Sequence, residues 1–253
     1  MEIALFFASL LFFYLGFPAP ELLLRCGLAA SLRFSPRAAL ALSSVAALCG
    51  ALAALIKRGG LSSAPAPARA LLIPASFAGG TLGRSLLLMF TASQTGSLPL
   101  LRLQVLPLLL LCLLALLPQR PGRRDAIEPR PYALRALSFF CGVVDGFFGA
   151  GGQLLFGGLL PARIARRRFS SPALPLLHTV CAQAGALMLT ACAGAAQVFP
   201  ARMILLLAAG SALGALAGEA QKERGPLASG TSAALKAYLL LCALSGMEQA
   251  YAL

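Results

Sequence analysis

The chain has 253 residues, of which 59% are apolar and only 11% charged. Soluble domains carry roughly 25% charged residues, and disordered chains need low hydrophobicity with high charge, so both classes are excluded. A formal net charge of +13 would suggest nucleic acid in a soluble protein. Here most of the 21 Lys and Arg stand between apolar runs, where they orient a membrane protein, and no nucleic-acid partner is expected.

Eight apolar segments follow one another: Ile3 to Phe17, Ala38 to Ile56, Ala70 to Phe90, Leu98 to Leu117, Leu134 to Leu160, Leu174 to Ala196, Met203 to Gly218 and Ala233 to Leu253. Each is near the roughly 20 residues that span a bilayer, and all are expected to be helical, because lipid offers no partner to an unpaired backbone group. The first follows Glu2 with no basic residue, and Pro18-Ala19-Pro20 is a poor cleavage site, so it is kept as part of the mature protein rather than a signal peptide. The most polar stretch, Pro118 to Pro131, divides the chain into a membrane half at 1–118, a linker at 119–133 and a second membrane half at 134–253. The seven cysteines are scattered without a C-x-x-C pair and read as small packing residues, so no metal or other cofactor is expected.

The halves look like a weak repeat. At a shift of 135 positions, Ser43 meets His178, Ser44 meets Thr179, Gly50 meets Gly185 and Gly59 meets Gly194. Both second-segment helices begin near Ser-Pro, at Ser35-Pro36 and Ser171-Pro172, a helix-start signal. Gly79 and Gly83 correspond to Gly210 and Gly214, each pair a G-x-x-x-G that permits close helix contact. Paired halves are a common construction of secondary transporters.

The fifth segment carries glycine at 142, 146, 149, 151 and 152, too many for an undisturbed helix when each costs about 1 kcal/mol against alanine. A broken helix is expected, and at membrane depth irregular backbone is tolerated only where it is buried in protein or lines a wet cavity. Basic residues sharpen this. If the segment dips in and returns, fifteen basic residues fall on one side of the membrane and six on the other, as the positive-inside rule expects; a full crossing gives twelve against nine. The linker and Arg163 to Arg168 are then cytoplasmic. In the first half, Tyr14 to Arg25 is a similar apolar run interrupted by Gly16, Pro18 and Pro20.

Gly142, Gly146, Gly149, Gly151, Gly152 and Pro161 fit the glycine-rich signature G-x-x-x-G-x-x-G-x-G-G-G followed by an apolar run and proline. With the polar pairs and G-x-x-x-G helices, the chain resembles the sulfite exporter TauE/SafE (TSUP) permeases over nearly its whole length. Gln153 departs from that pattern at the third consecutive glycine, and the first-half signature is almost erased. The resemblance implies an all-α polytopic membrane protein of two related halves, each opening with a glycine-broken or re-entrant helix. It also implies transport of small anions such as sulfite, sulfonates or related carboxylates across a bacterial cytoplasmic membrane.

Ionisable groups inside spans are costly, about 2.5 to 3.5 kcal/mol at the centre, and so are functional candidates. Asp145 lies one turn before the break, while His178, Thr179 and Gln183 form a polar stripe on one helix. The substrate site is expected at Gly149, Ala150, Gly151, Gly152 and Gln153, with Ser43, Ser44, His178 and Thr179 facing it, since a broken helix exposes amides that attract an anion. Asp145 and His178 are the expected proton carriers. Arg102 also lies in or near an apolar segment, and Arg84 and Glu219, which follow their G-x-x-x-G motifs, are expected at helix ends, snorkelling. No P-loop occurs, so gradients rather than ATP supply energy. Two other classes stay open: a non-transporting or decayed paralogue, and an intramembrane hydrolase with His178 as base, although no G-x-S-x-G accompanies it.

Overall fold

The computed structural model describes residues 2–15, 20–30, 35–92, 131–156, 171, 173–194, 199–224 and 238. Among them are seven α-helices and no strand: α1 (Glu2–Tyr14), α2 (Pro20–Ala30), α3 (Pro36–Lys57), α4 (Ala66–Ala92), α5 (Pro131–Phe148), α6 (Leu174–Cys192) and α7 (Ala201–Arg224). Four of these, α3, α4, α6 and α7, are long and apolar enough to cross a membrane. The protein is an all-helical polytopic membrane protein. The apolar segments Leu98 to Leu117 and Ala233 to Leu253, Arg102, and most of the basic residues behind the shared-face expectation lie outside the described residues, Tyr238 apart.

Local signals set the helix ends. Ser35 caps α3 by accepting the Ala38 N–H at 3.1 Å, and Pro36 follows in the first turn, where its missing N–H has no intrahelical partner to lose. Ser171 does similar work before α6, accepting from Ala173 N–H at 3.2 Å. Both helices stop on a glycine in left-handed conformation, Gly59 at φ +93° and Gly194 at φ +63°. Their amides bond Ile56 and Ala191 carbonyls respectively, each at 3.1 Å, closing the exposed end of the helix.

Outward faces are apolar, which suits lipid and would be an aggregation surface in water. On α1, Ile3, Phe7 and Leu11 are exposed at successive helical turns while Leu5, Ser9 and Phe13 are buried on the opposite face. Cys141 is buried, Cys49 and Cys181 are half-buried and Cys192 is exposed.

Glycines bring the helix axes together. A Cβ at Gly79 or Gly83 of α4 would collide with the Phe139 or Val143 carbonyl of α5, and one at Gly142 or Gly146 of α5 with the Ser76 or Gly80 carbonyl of α4. The two backbones therefore touch, a contact in which packing and Cα–H···O interactions replace hydrophobic drive. The arrangement recurs between α7 and α1, where Gly210, Gly214 and Gly218 sit on the Phe6, Leu10 and Tyr14 carbonyls. Around α3 and α6, which pack on each other, α4 lies against α5 and α6, and α7 against α1 and α3.

Candidate functional site

The glycine-rich run breaks as its composition implies. α5 ends at Phe148, Gly149 and Gly151 take φ of +75° and +102°, and helix resumes over 152–156. Only glycine adopts these conformations without strain. The chain also turns back on itself: Gly152 lies against α5 beside Cys141 and Asp145, so closely that a Cβ would collide with the Cys141 carbonyl.

Three helices meet at this reversal. Gly80 of α4 is pressed on the Ala182 carbonyl of α6, and Gly185 of α6 on the Phe77 carbonyl of α4. Ser76 and His178 stand one turn before Gly80 and Ala182, and this close approach lets Ser76 Oγ and His178 Nδ1 bond at 2.8 Å. The other imidazole nitrogen, Nε2, lies 3.4 Å from Asp145 Oδ2, an ion-pair distance without hydrogen-bond alignment. Phe156, from the resumed helix, stacks flat on the imidazole with ring centroids 4.8 Å apart. Gln183 Nε2 donates to the Gly149 carbonyl at 3.3 Å, and Thr179 Oγ1 bridges Gln153 Oε1 at 3.3 Å and the Pro175 carbonyl at 3.1 Å. From α3, Ser43 stands against the break, 3.2 Å from where a Gly149 Cβ would be.

Of the expected site residues, Ser43, Asp145, His178 and Thr179 meet at the break, while Ser44 bonds Arg84. Ala150, Ser43, Ser44, Asp145, His178 and Thr179 are all at most 1% exposed, and Gly149, Gly151 and Gly152 are buried with them. Gln153 is half-buried and lines a small cavity with Glu21, Gly50 and Glu219.

Two expectations are corrected. The first is that the break leaves its amides open: Asp145 Oδ1 instead accepts the Gly152 N–H at 2.7 Å, capping the resumed helix, and the buried Glu21 carboxyl of α2 lies near the Gly151 amide. A helix start in a low-dielectric interior attracts negative charge, and the protein supplies its own. The second concerns Arg84. It does not snorkel from a helix end but sits inside α4, 3% exposed, donating from Nη2 to Ser44 Oγ at 3.0 Å. Glu219 is held rather than free, paired with Arg58 at 2.6 and 2.9 Å where α3 ends against α7.

Several buried polar atoms around the break have no hydrogen-bond partner among the described residues: Asp145 Oδ2, His178 Nε2, Glu21 Oε1, Gln183 Oε1 and Arg84 Nε. Native interiors rarely leave such atoms alone, and a cluster of them marks a place that takes up water, protons or solute. Glu21, Ser76, Arg84 and Phe156 were missing from the expected set. Glu21 had a signal, an acid inside an interrupted apolar run, while Ser76 and Phe156 had none. Neither a curated protein nor a solved structure matches the chain. Residues 3–245 match the family model of the sulfite exporter TauE/SafE, nearly the whole sequence, and the chain belongs to that family of membrane transport proteins.

Proposed function

We propose that this protein is a secondary transporter of small anions, sulfite or organosulfonates among them, working across a bacterial cytoplasmic membrane. The reading rests on family membership together with the unsatisfied polar atoms gathered at a buried helix break. Substrate passes beside Gly149, Ala150, Gly151, Gly152 and Gln153, with Ser43, Ser44, His178 and Thr179 on the facing helices. Asp145 and His178 hold the coupled proton: their facing atoms are 3.4 Å apart, so a proton gained by either changes the charge presented to the Gly152 amide. A neutral Asp145 keeps a carbonyl oxygen for that amide but loses the charge-assisted part of the bond, so a substrate anion competes for the amide on better terms. The halves at 1–118 and 134–253 are read as duplicates, supported by the repeated glycine-to-carbonyl docking and by the twin left-handed caps at Gly59 and Gly194.

The hydrolase alternative gains one observation, the Ser76–His178–Asp145 chain, but Ser76 is fully buried. The test is flux in vesicles carrying reconstituted protein, with sulfite, thiosulfate, sulfoacetate, taurine and simple carboxylates as solutes. Anion flux that follows a pH gradient, with the pH dependence lost in Asp145→Asn, is the expected result. A response confined to cations or neutral solutes overturns the anion assignment, and silence throughout favours a decayed paralogue.

A further inference from the structure

A second cavity, of about 390 Å³, opens between the start of α3 and the ends of α4 and α6. That volume is in the range of small-molecule sites. Arg37, Leu40, Arg84, Leu87, Thr91 and Thr190 are among its lining residues, and no acidic side chain is, among the described residues. The two threonine hydroxyls donate to the Leu88 and Ala186 carbonyls, so what this wall offers an anion is its two cations, Arg37 and Arg84. Arg37 stands exposed and spends one donor on the Thr91 carbonyl at 3.1 Å. Arg84 is buried, has no carboxylate within ion-pair distance among the described residues, and leaves Nε without an acceptor. A guanidinium desolvated in this way without a counter-charge is unfavourable until an anion joins it.

The cavity and the break share Leu40 as a wall residue, and a Cβ on Gly149 would stand 3.1 Å from Leu40 Cγ. Leu40 and Leu87 pack with Phe90 and Phe147 as a small apolar cluster between the two places.

We infer that this cavity is an anion-binding vestibule in which Arg84, with Arg37 nearer its mouth, holds the sulfonate or oxyanion head of a small soluble anion before it meets the glycine break. The inference rests on the transport reading and names the residue that recognises the solute's charge. With the Gly152 amide held by Asp145, Arg84 is the buried positive group that selects for anions.

The test uses the full chain without native cysteines, carrying Thr190→Cys, in nanodiscs of phosphatidylcholine so that no anionic lipid competes. Rates of modification by anionic sulfonatoethyl and cationic trimethylammonioethyl methanethiosulfonate are each divided by the rate with a small free thiol. The normalised ratio should favour the anionic reagent by about tenfold, the low end of electrostatic focusing in a charged cleft. Millimolar ethanesulfonate should slow both reactions. Arg84→Gln should bring the ratio close to one and Arg84→Lys should restore it, whereas a role confined to helix packing would leave the ratio alone. Leu88→Glu, one turn along α4, neutralises Arg84 in place and should abolish the preference even where Arg84→Gln does not fold. An unchanged ratio in Arg84→Gln or Leu88→Glu, or a thiol unreactive toward both reagents, overturns the inference. Because the readout is charge selectivity rather than flux, anion flux with no Arg84 effect sinks the vestibule alone, while an intact Arg84 effect without flux sinks the transport reading.

Discussion

Replacing Asp145 tests how the break is held. Its Oδ1 accepts the Gly152 N–H at 2.7 Å, and the carboxylate is fully buried. Alanine removes the acceptor and leaves a buried amide without its partner, a loss of about 1–3 kcal/mol. Caps measured at helix starts give about 1 kcal/mol for the same kind of contact, and the buried setting argues for the upper part of the range. Asparagine keeps a carbonyl oxygen for the amide and gives up only the charge, so about 1 kcal/mol is expected. The assay is the midpoint of unfolding on titration of purified protein with SDS in mixed micelles. The order should be native, then Asp145→Asn, then Asp145→Ala, with the alanine variant about 2 kcal/mol below native. An asparagine variant as unstable as the alanine one would show that charge, not the cap, holds the reversal, and a neutral Asp145→Ala would refute both.

Gly80→Val should be among the most damaging single changes, because its Cβ would occupy the place of the Ala182 carbonyl and must push α4 and α6 apart. Overpacking of this kind costs about 1–3 kcal/mol, read as a lowered unfolding midpoint and early loss of the monodisperse peak in size exclusion; a native midpoint would deny the contact. Gly194→Ala probes backbone alone, since nothing lies within 4 Å of the added methyl while φ is +63°. It should cost about 1 kcal/mol, and Gly194→Asn should recover part of it; equal stability of all three would mean that the left-handed cap is not needed.

Composition and run length determined that this chain lives in a membrane and where most of its described helices lie. Both properties depend only on how much apolar surface each stretch presents to lipid. Local chemistry determined the Ser35-Pro36 start and the break near Gly149 and Gly151, because caps and left-handed backbone are decided within a few residues. The glycines of α4 announced close contact, but a G-x-x-x-G does not name its partner. Tertiary structure assigned Gly79 and Gly83 to α5 and Gly80 to α6, and that assignment set Ser76 against His178. The fate of the break's amides was likewise decided at long range. Asp145 is seven positions from Gly152, but the Glu21 that lies near Gly151 comes from α2, some 130 residues away. Arg84 shows the same limit. That a cation stands in an apolar run was legible, yet how deep it lies and whether it turns toward lipid, headgroups or protein depends on which neighbours surround the helix, and here α3 supplies Ser44 to keep it inside.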